Sequence, residues 1–273
     1  MQNKGDRVGE QIVDPALYDK RYFLTDNDGW REWENGLDSN LHSKFRRALE
    51  LAGPVAGKNV LDVGCGRGEL VYYCVKKGAS ALGIDYSQAA IEIANQTLRR
   101  LPPGLKKKAK AAVGNAESYN FTERYDVIFM IEVAEHIYDW QLREAVSRIK
   151  SILNPGGKLI IITPNYLYEK WFSPIKRAVN IPSNLIKWPL RVIRGKYRPK
   201  SFRDLLGKIF RVKVDRGELN RKMHVNITTC ARIRSYLQDF DAKVYCTDHS
   251  RNPLSLIAMK WFGRDIEVVA IKK

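Results

Sequence analysis

From residue 58 onward, short runs of β-branched and other apolar residues alternate with amphipathic stretches. This alternation is typical of parallel strands joined by crossover helices. Apolar positions at helical spacing fill the gaps between the runs, and Ser87 and Asp139 stand where helix N-caps are expected. The pattern predicts strands near 59–63, 81–85, 109–114, 125–130, 157–163, 241–248 and 266–273, and helices near 68–77, 87–100, 139–153 and 229–239.

These elements predict an α/β fold with a three-layer, Rossmann-like sheet of seven strands, of which the last two form an antiparallel hairpin. About sixty residues separate the fifth strand from the last helix, which is too long for an ordinary connection. We therefore divide the chain into an N-terminal helical segment or lid (1–57), a core (58–165), a basic amphipathic insertion (166–222) and a C-terminal helix with the closing strands (223–273).

The composition suits one substantial core with appendages, since 44% of the 273 residues are hydrophobic. The N-terminus has no signal-peptide pattern, and no stretch reaches the roughly 18 uninterrupted apolar residues of a membrane-spanning helix. Cys65, Cys74, Cys230 and Cys246 form no CxxC pair, so we expect reduced thiols. Together these features predict a soluble, cytoplasmic protein.

A glycine-rich turn follows the first strand in the segment VLDVGCGRGEL, residues 60–70. Gly64, Gly66 and Gly68, with the small residue Cys65 between them, allow a ligand to approach the bare backbone. A dinucleotide-binding turn would have glycine or alanine at position 69, where this chain has glutamate, and a pyrophosphate would be repelled there. Asp62 also suits a cationic ligand, so a sulfonium amino acid fits this turn better.

The next two strands end in residues suited to a nucleoside. Asp85 lies about twenty residues after the glycine turn, where a carboxylate can accept both hydroxyls of a ribose. Tyr86 offers a ring face to an adenine. Asn115 and Ala116, in the segment GNAES, could contact the adenine edge.

The segments DVGCGRGEL, GIDYS, GNAE, YDVIFMIEVAEHI and LNPGGKLIIITPN follow in the order and spacing of class I S-adenosylmethionine-dependent methyltransferases. The chain resembles this family over about 58–165, and is closest in pattern to the ubiquinone-biosynthesis O-methyltransferase-like group. The resemblance implies a methyltransferase with S-adenosylmethionine as cofactor and the seven-stranded fold described above. Many relatives have aspartate where this chain has Asn115, so an amide would replace an acidic contact to the adenine amino group, and we expect binding to survive this exchange.

The segment EVAEHI places Glu132, Glu135 and His136 after the fourth strand, where the methyl acceptor should lie. In ubiquinone-biosynthesis O-methyltransferases and in some RNA-end ribose methyltransferases, which this segment resembles, E-x-x-E-H holds a divalent cation. The resemblance thus implies a site for Mg²⁺ or another divalent cation on these three residues, with Glu132 also beside the cofactor. His136 as a general base and a purely structural role are equally compatible alternatives. Related enzymes carry an H-x-N turn beside the acceptor pocket. His224 lies in a similar turn of this chain, and the resemblance makes it a candidate for binding substrate.

The insertion 166–222 carries sixteen lysines and arginines against four acidic residues, so most of the formal net charge of +17 lies here. Its basic residues are interleaved with aromatic and aliphatic ones, and the segment SFRDLLGKIF (201–210) predicts an amphipathic helix. Pro189 should kink or delay the helix predicted for NLIKWPLRVIRGK. Such a segment favours an anionic membrane surface; the alternatives are an RNA backbone and a lid whose apolar stripes pack on the core.

The sequence thus predicts O-methylation of a small or lipid-linked acceptor at the cytosolic face of a membrane. An RNA methyltransferase and a non-catalytic, cofactor-binding scaffold are the alternatives. Oxygen as acceptor atom depends on the EVAEHI resemblance alone. Neither the acceptor nor the oligomeric state follows from the sequence.

Overall fold

The structure is a computed structural model that describes residues 12–37, 41–210, 222–247 and 263–273. Its strands are β1 (Asn59–Val63), β2 (Ser80–Asp85), β3 (Ala109–Val113), β4 (Tyr125–Ile131), β5 (Leu153–Pro164), β6 (Phe240–Thr247) and β7 (Asp265–Lys272). Its α-helices are α1 (Trp30–Glu34), α2 (Ser43–Ala52), α3 (Glu69–Lys76), α4 (Gln88–Arg99), α5 (Pro103–Lys106), α6 (Asp139–Ile152), α7 (Ser173–Val179), α8 (Ile181–Ile193), α9 (Phe202–Phe210) and α10 (Cys230–Tyr236).

The strands form one sheet in the order β3-β2-β1-β4-β5-β7-β6. The first five strands pair in parallel, whereas β7 runs antiparallel to both of its neighbours, β5 and β6. The predicted fold class, including the closing antiparallel hairpin, is therefore confirmed.

Helices cover both faces of the sheet because the central strands are apolar on both sides. In β4, Val127 and Phe129 pack with helices α2, α3 and α4 on one face, and Ile128 and Met130 pack with α6 and α10 on the other. Alternate residues of a strand point to opposite faces, so an uninterrupted apolar run is what a doubly covered strand needs.

Several helix boundaries follow from local capping. The Ser87 hydroxyl accepts a hydrogen bond from the Ala90 backbone N–H at 3.2 Å, and Thr229 caps α10 in the same way through Arg232. Asp139 was wrongly predicted as a cap, because Tyr138 has the extended N-cap backbone and Asp139 is the first helical residue.

Two further boundaries differ from the prediction. Helix α8 begins at Ile181 and runs through Pro189 to Ile193, so the proline does not delay it. Strand β5 begins at Leu153, directly after α6, instead of at 157.

The parallel strands bring their carboxyl ends to one edge of the sheet, where β1 lies between β2 and β4. The chain continues from β1 to β2 on one side, whereas β4 and β5 lie on the other side. In open parallel sheets, ligands bind in the crevice where the strand order reverses in this way. The N-terminal segment, with a short 3-10 helix at Pro15–Leu17 and a π-helix at Tyr22–Asp26, packs over this edge.

Helices α7, α8 and α9 lie in the insertion between β5 and α10, and its residues 211–221 are outside the described ranges. Among the described residues, no helix combines the length and the apolar character that a bilayer crossing requires.

Candidate active site

The glycine turn between β1 and α3 depends on backbone conformations that other residues rarely adopt. Gly64, Gly66 and Gly68 have φ angles of +70°, +49° and +76°. The backbone N–H of Gly64 donates to the Ile84 carbonyl at 2.8 Å, which joins the turn to the end of β2. A Cβ atom on Gly64 would lie 2.3 Å from the Val133 side chain. Gly64 is therefore required for two reasons: its backbone is left-handed, and a side chain at this position would overlap with Val133.

Asp85 lies at the end of β2, buried beside the turn. Its carboxylate accepts hydrogen bonds from the backbone N–H groups of Gly66 at 3.0 Å and Ser87 at 2.9 Å. Burial raises the pKa of Asp85 to about 6, while these two bonds oppose that shift. Each oxygen keeps further lone pairs, so the carboxylate can still accept from two ligand hydroxyls.

Arg67, inside the turn, fastens the N-terminal segment to the core. Its guanidinium is buried and donates to the carbonyls of Phe23 and Asp28, both at 2.8 Å, and to the Asn27 side chain at 3.0 Å. It also forms an ion pair with Glu69 at 3.1 Å. Sequence reasoning used Glu69 only as an argument against a pyrophosphate and missed Arg67, whose single signal was a charged residue within a turn of small ones.

A cavity of about 390 Å³ opens beside the turn, a size typical of ligand pockets. Most of the cofactor-binding residues predicted from the sequence line it: Gly64, Cys65, Gly66, Asp85, Tyr86, Asn115, Ala116 and Glu132. Asp62 and Gly68 are not part of the lining. Asp62 is buried, which raises the pKa of its carboxyl well above the usual range, and the Gly68 backbone packs against Ala94 of α4.

Aromatic side chains of the N-terminal segment cover the cavity. The ring of Tyr18 lies 5.2 Å from those of Tyr22 and Tyr86, and Phe23 is buried beside them. The Tyr18 carbonyl accepts a hydrogen bond from the Ser87 hydroxyl at 2.7 Å. The prediction that this segment forms a lid named none of these aromatic residues individually.

His136 lies against the lid. Its Nδ1 atom is 2.8 Å from the Tyr18 hydroxyl and 3.2 Å from the Met223 carbonyl. Burial, together with the neighbouring His224 ring at 4.6 Å between centroids and with Lys44, lowers the pKa of His136 to about 3. The imidazole is therefore neutral at physiological pH, and His224 is placed beside it on the cavity wall.

Glu132 follows β4 with an unusual backbone, since its φ is +57°. Its Oε2 atom is paired with the ammonium of Lys44, which comes from α2. Its Oε1 atom is buried without a hydrogen-bond partner among the described residues. Although burial disfavours a charged ammonium, the Glu132 carboxylate raises the pKa of Lys44. Lys44 thus brings a positive charge to the cavity wall, and no sequence motif placed it there.

Glu135 is fully buried. The Thr163 hydroxyl donates to its Oε2 atom at 3.0 Å, and its Oε1 atom is 3.9 Å from the Nε2 atom of His136. Burial, together with the neighbouring Glu132 carboxylate, raises the pKa of Glu135 well above the usual range. Within the described residues no group of His, Cys, Asp or Glu side chains is arranged to hold a metal ion. The Lys44 ammonium pairs with Glu132 and the Thr163 hydroxyl bonds Glu135, and the predicted metal set of Glu132, Glu135 and His136 is not among the groups that could hold an ion in the described residues.

Residues 37–212 match a family model described as a methyltransferase domain. The chain is 28% identical over 209 residues to a ubiquinone biosynthesis O-methyltransferase from Chelativorans sp., a match that covers 71% of this chain and 79% of that one. Matches to some other proteins of the same name span only about half of their length.

Two crystal structures share the fold. An S-adenosylmethionine-dependent methyltransferase from Mesorhizobium loti superposes with a TM-score of 0.56 at 16% identity, covering 87% of this chain and 100% of that one. The N-methyltransferase NodS from Bradyrhizobium japonicum gives 0.51 at 15% identity, covering 84% and 93%. At these identities the two likenesses show the fold alone.

Proposed function

Because the chain belongs to the methyltransferase domain family, we propose that it methylates an oxygen of a small or lipid-linked acceptor, with S-adenosylmethionine as methyl donor. That it is an S-adenosylmethionine-dependent methyltransferase follows from the family; the acceptor and the roles of individual residues are the proposal. The observation that supports it is one cavity whose wall includes both the glycine turn with Asp85 and the Tyr18–His136 pair.

The cofactor half of the cavity suits a sulfonium nucleoside. The glycine turn leaves room for the methionine part, Asp85 would accept the ribose hydroxyls, and Tyr86, Asn115 and Ala116 would surround the adenine. Acidic side chains dominate this half, which favours a positively charged sulfur over a pyrophosphate. When bound, S-adenosylmethionine supplies a methyl group activated by that charge.

On the acceptor side, His136 would remove the proton from the hydroxyl group as its oxygen attacks the methyl carbon. The Met223 carbonyl can only accept a hydrogen bond, so it favours the tautomer with the proton on Nδ1. The lone pair of Nε2 is then free to act as base. Lys44 would stabilise the negative charge that develops on the oxygen.

The low pKa of His136, about 3, makes it a weak base. A hydroxyl group that gives up its proton readily, such as a phenol with a pKa near 10, therefore suits the site better than an aliphatic alcohol. Oxygen as the acceptor atom is also supported by the name of the curated relatives, which are O-methyltransferases.

The base role is tested by His136→Ala and Tyr18→Phe, measured with labelled cofactor and fractionated lipid, RNA and small-molecule extracts as acceptors. We expect His136→Ala to lower kcat by about 100-fold or more with cofactor affinity retained. Tyr18→Phe, which leaves His136 with one hydrogen-bond partner fewer, should lower kcat less. Tyr245→Phe removes a hydroxyl from β6, away from the cavity, and is the matched control. An unchanged kcat in His136→Ala would rule out this role.

A divalent cation does not fit the arrangement of Glu132, Glu135 and His136 described above, so no step of the proposal uses one. Activity should accordingly persist in a strong chelator. Loss of activity on chelation, restored by Mg²⁺, would instead support a metal held by these residues after Lys44 releases Glu132.

For the insertion, we propose docking to an anionic membrane surface, from which a lipid-linked acceptor could enter the cavity. Helix α8 has no buried residue, and Ile186 and Ile193 are 66% and 79% exposed. In α9 only Ile209 of the apolar stripe is buried, whereas Phe202 and Phe210 are exposed, so much of the apolar surface of these two helices is left uncovered. Exposed apolar side chains among lysines and arginines are characteristic of helices that lie in a membrane interface.

Vesicle sedimentation tests this docking. The full chain should sediment with vesicles that contain phosphatidylserine and stay in solution with purely zwitterionic vesicles. Absence of binding to both would contradict the proposal. Methyl incorporation into RNA, together with salt-dependent RNA binding, would favour the RNA alternative, and absence of turnover with every extract would favour a cofactor-binding scaffold.

A further inference from the structure

Two cysteines outside the cavity face each other. Cys230 is the first residue of α10 and Cys246 lies in β6, the strand on which α10 packs. Their sulfur atoms are 2.8 Å apart. Both side chains are partly exposed, whereas Cys65 and Cys74 are buried. An oxidant in solution can therefore reach the first pair more easily than the second.

The surroundings of the two thiols favour ionisation of one of them. A hydrogen bond joins the two sulfur atoms, and either thiol can be its donor. Such a bond stabilises a thiolate on the accepting sulfur. The positive charge of Arg234 favours the thiolate form of both Cys230 and Cys246. The pair can therefore present one thiolate with a second thiol beside it, as sequential oxidation requires.

We propose that Cys230 and Cys246 are a redox pair that closes to an intramolecular disulfide in the presence of a hydroperoxide and reopens with a thiol reductant. The thiolate of one cysteine attacks the peroxide, so that an S–O bond forms, the O–O bond breaks, and the leaving oxygen takes up a proton. The sulfur of the other cysteine then displaces the hydroxyl of this sulfenic acid, which leaves as water as the S–S bond forms. Two thiols are oxidised, and one hydroperoxide is reduced to an alcohol and water, or to two waters when it is hydrogen peroxide.

The pair lies where the insertion joins the core. Asn165 and Thr228 form a β-bridge that joins the chain where it leaves β5 to the chain where it returns to α10. The Asn165 amide also contacts the Cys246 sulfur at 3.5 Å. Two residues before Thr228, the backbone N–H of Asn226 donates to the Glu135 carbonyl at 3.0 Å. A disulfide here would therefore restrain the turn that links the insertion to the EVAEHI segment.

Peptide mapping of the full chain tests the proposal directly, since trypsin places the four cysteines in four different peptides: 59–67, 68–76, 223–232 and 244–251. After treatment with hydrogen peroxide and alkylation of the remaining thiols, we expect peptides 223–232 and 244–251 to be joined. Dithiothreitol should restore both as alkylated thiols. The peptides that contain Cys65 and Cys74 should carry the alkyl label throughout, and these two residues are the internal control.

Variants and exchange complete the test. Cys230→Ser and Cys246→Ser should each abolish the joined product, and Cys74→Ser should not. Hydrogen exchange in 223–232 should slow on oxidation. Four alkylated thiols after peroxide treatment, or a disulfide between two copies of the chain, would overturn the proposal. If hydrogen exchange in 223–232 does not change on oxidation, the disulfide does not restrain the turn that joins the insertion to the core.

Discussion

At the scale of single residues, Asp85 couples cofactor binding to pH. Its carboxyl has a pKa of about 6 in the cavity without cofactor, since burial disfavours the charged form. The ionised form is the one that accepts two ribose hydroxyls, and protonation replaces one acceptor site by a donor. Below about pH 6 an increasing fraction of the protein is protonated at Asp85 and should bind the cofactor more weakly.

We therefore predict that the Kd for S-adenosylmethionine, measured by isothermal titration calorimetry, rises as the pH falls through about 6 and is constant above about 7. Asp85→Asn keeps the shape but cannot ionise. It should bind about 10-fold to 100-fold more weakly, because hydrogen bonds to a charged group are worth about 1.5–3 kcal/mol. Its affinity should not depend on pH over the same range. A pH dependence that persists in Asp85→Asn would assign the effect to another group.

A second prediction at this scale distinguishes two costs of replacing a glycine in the turn, namely backbone strain and steric overlap. Gly57 and Gly64 have nearly equal φ angles, +74° and +70°, but a Cβ atom on Gly57 meets nothing within 4 Å, whereas one on Gly64 would lie 2.3 Å from Val133. Gly57→Ala should lower the free energy of unfolding by about 1–2 kcal/mol, the cost of a left-handed backbone. Gly64→Ala should cost about 1–3 kcal/mol more, because Val133 or the turn must move.

Urea unfolding of the two variants measures this difference, and Gly57→Ala is the matched control for backbone strain. Cofactor affinity should fall in Gly64→Ala and remain unchanged in Gly57→Ala, which lies outside the cavity. Equal losses of stability would mean that Val133 yields without cost.

At the scale of elements, strand topology explains why the residues predicted to bind the cofactor line one cavity, whereas the contacts of the residues on the acceptor side were not predicted. The glycine turn, Asp85 and Asn115 each follow the end of a strand, and parallel topology alone brings strand ends together. By contrast, Tyr18 meets His136 and Lys44 meets Glu132 across 118 and 88 residues of sequence. These contacts depend on how the N-terminal segment and α2 dock, which no local pattern of apolar spacing encodes. For the same reason, Arg67 could not be identified as the residue that holds the lid.

Arg67 provides the element-scale prediction. Its guanidinium binds three acceptors in the segment 23–28 and keeps its ion pair with Glu69. Arg67→Lys preserves the charge beside Glu69 but lacks the planar group needed to reach several acceptors at once. Losing about two hydrogen bonds at roughly 0.5–1.5 kcal/mol each should raise the KM for the cofactor by about 10-fold. The lid should open without unfolding of the sheet.

Hydrogen exchange measured by mass spectrometry distinguishes these two outcomes. Exchange in 14–28 should accelerate in Arg67→Lys, and exchange in β1 should not. Arg148→Lys is the matched control, because Arg148 also donates to a backbone carbonyl, that of Tyr119 at 2.7 Å, but far from the lid. If 14–28 exchanges at the wild-type rate in Arg67→Lys, Arg67 does not hold the lid.

At the scale of the whole molecule, the positive charge has two separate locations. The insertion carries most of it, and the short cluster KKKAK at 106–110 lies where α5 leads into β3. The cluster is at the amino end of β3, whereas the cavity lies at the carboxyl ends of the parallel strands. The cluster and the cavity are therefore at opposite ends of the strands. A general attraction to anionic surfaces would use both locations, whereas docking through the insertion would use one.

This contrast gives a prediction with an internal control. Lys187→Gln with Arg191→Gln removes two exposed charges from α8. At about 1 kcal/mol per basic residue near an anionic surface, vesicle affinity should fall roughly 30-fold at low salt, and less at high salt, where screening already weakens these contacts. Lys106→Gln with Lys107→Gln removes the same charge from the cluster and should leave vesicle affinity unchanged. Equal losses in both variants would contradict docking through the insertion.

The apolar contribution is measured in the same assay. Ile186→Ser with Ile193→Ser removes two largely exposed side chains that would be buried on docking, and burial of an isoleucine is worth about 1.5–3 kcal/mol. Salt does not screen this contribution, so affinity should fall by a similar factor at every salt concentration. Because neither pair of substitutions touches the cavity, cofactor affinity should be retained in both. A purely electrostatic contact, as with an RNA backbone, would leave the Ile186→Ser, Ile193→Ser variant at wild-type affinity, so a loss of vesicle affinity in this variant distinguishes docking through apolar side chains from docking through charge alone.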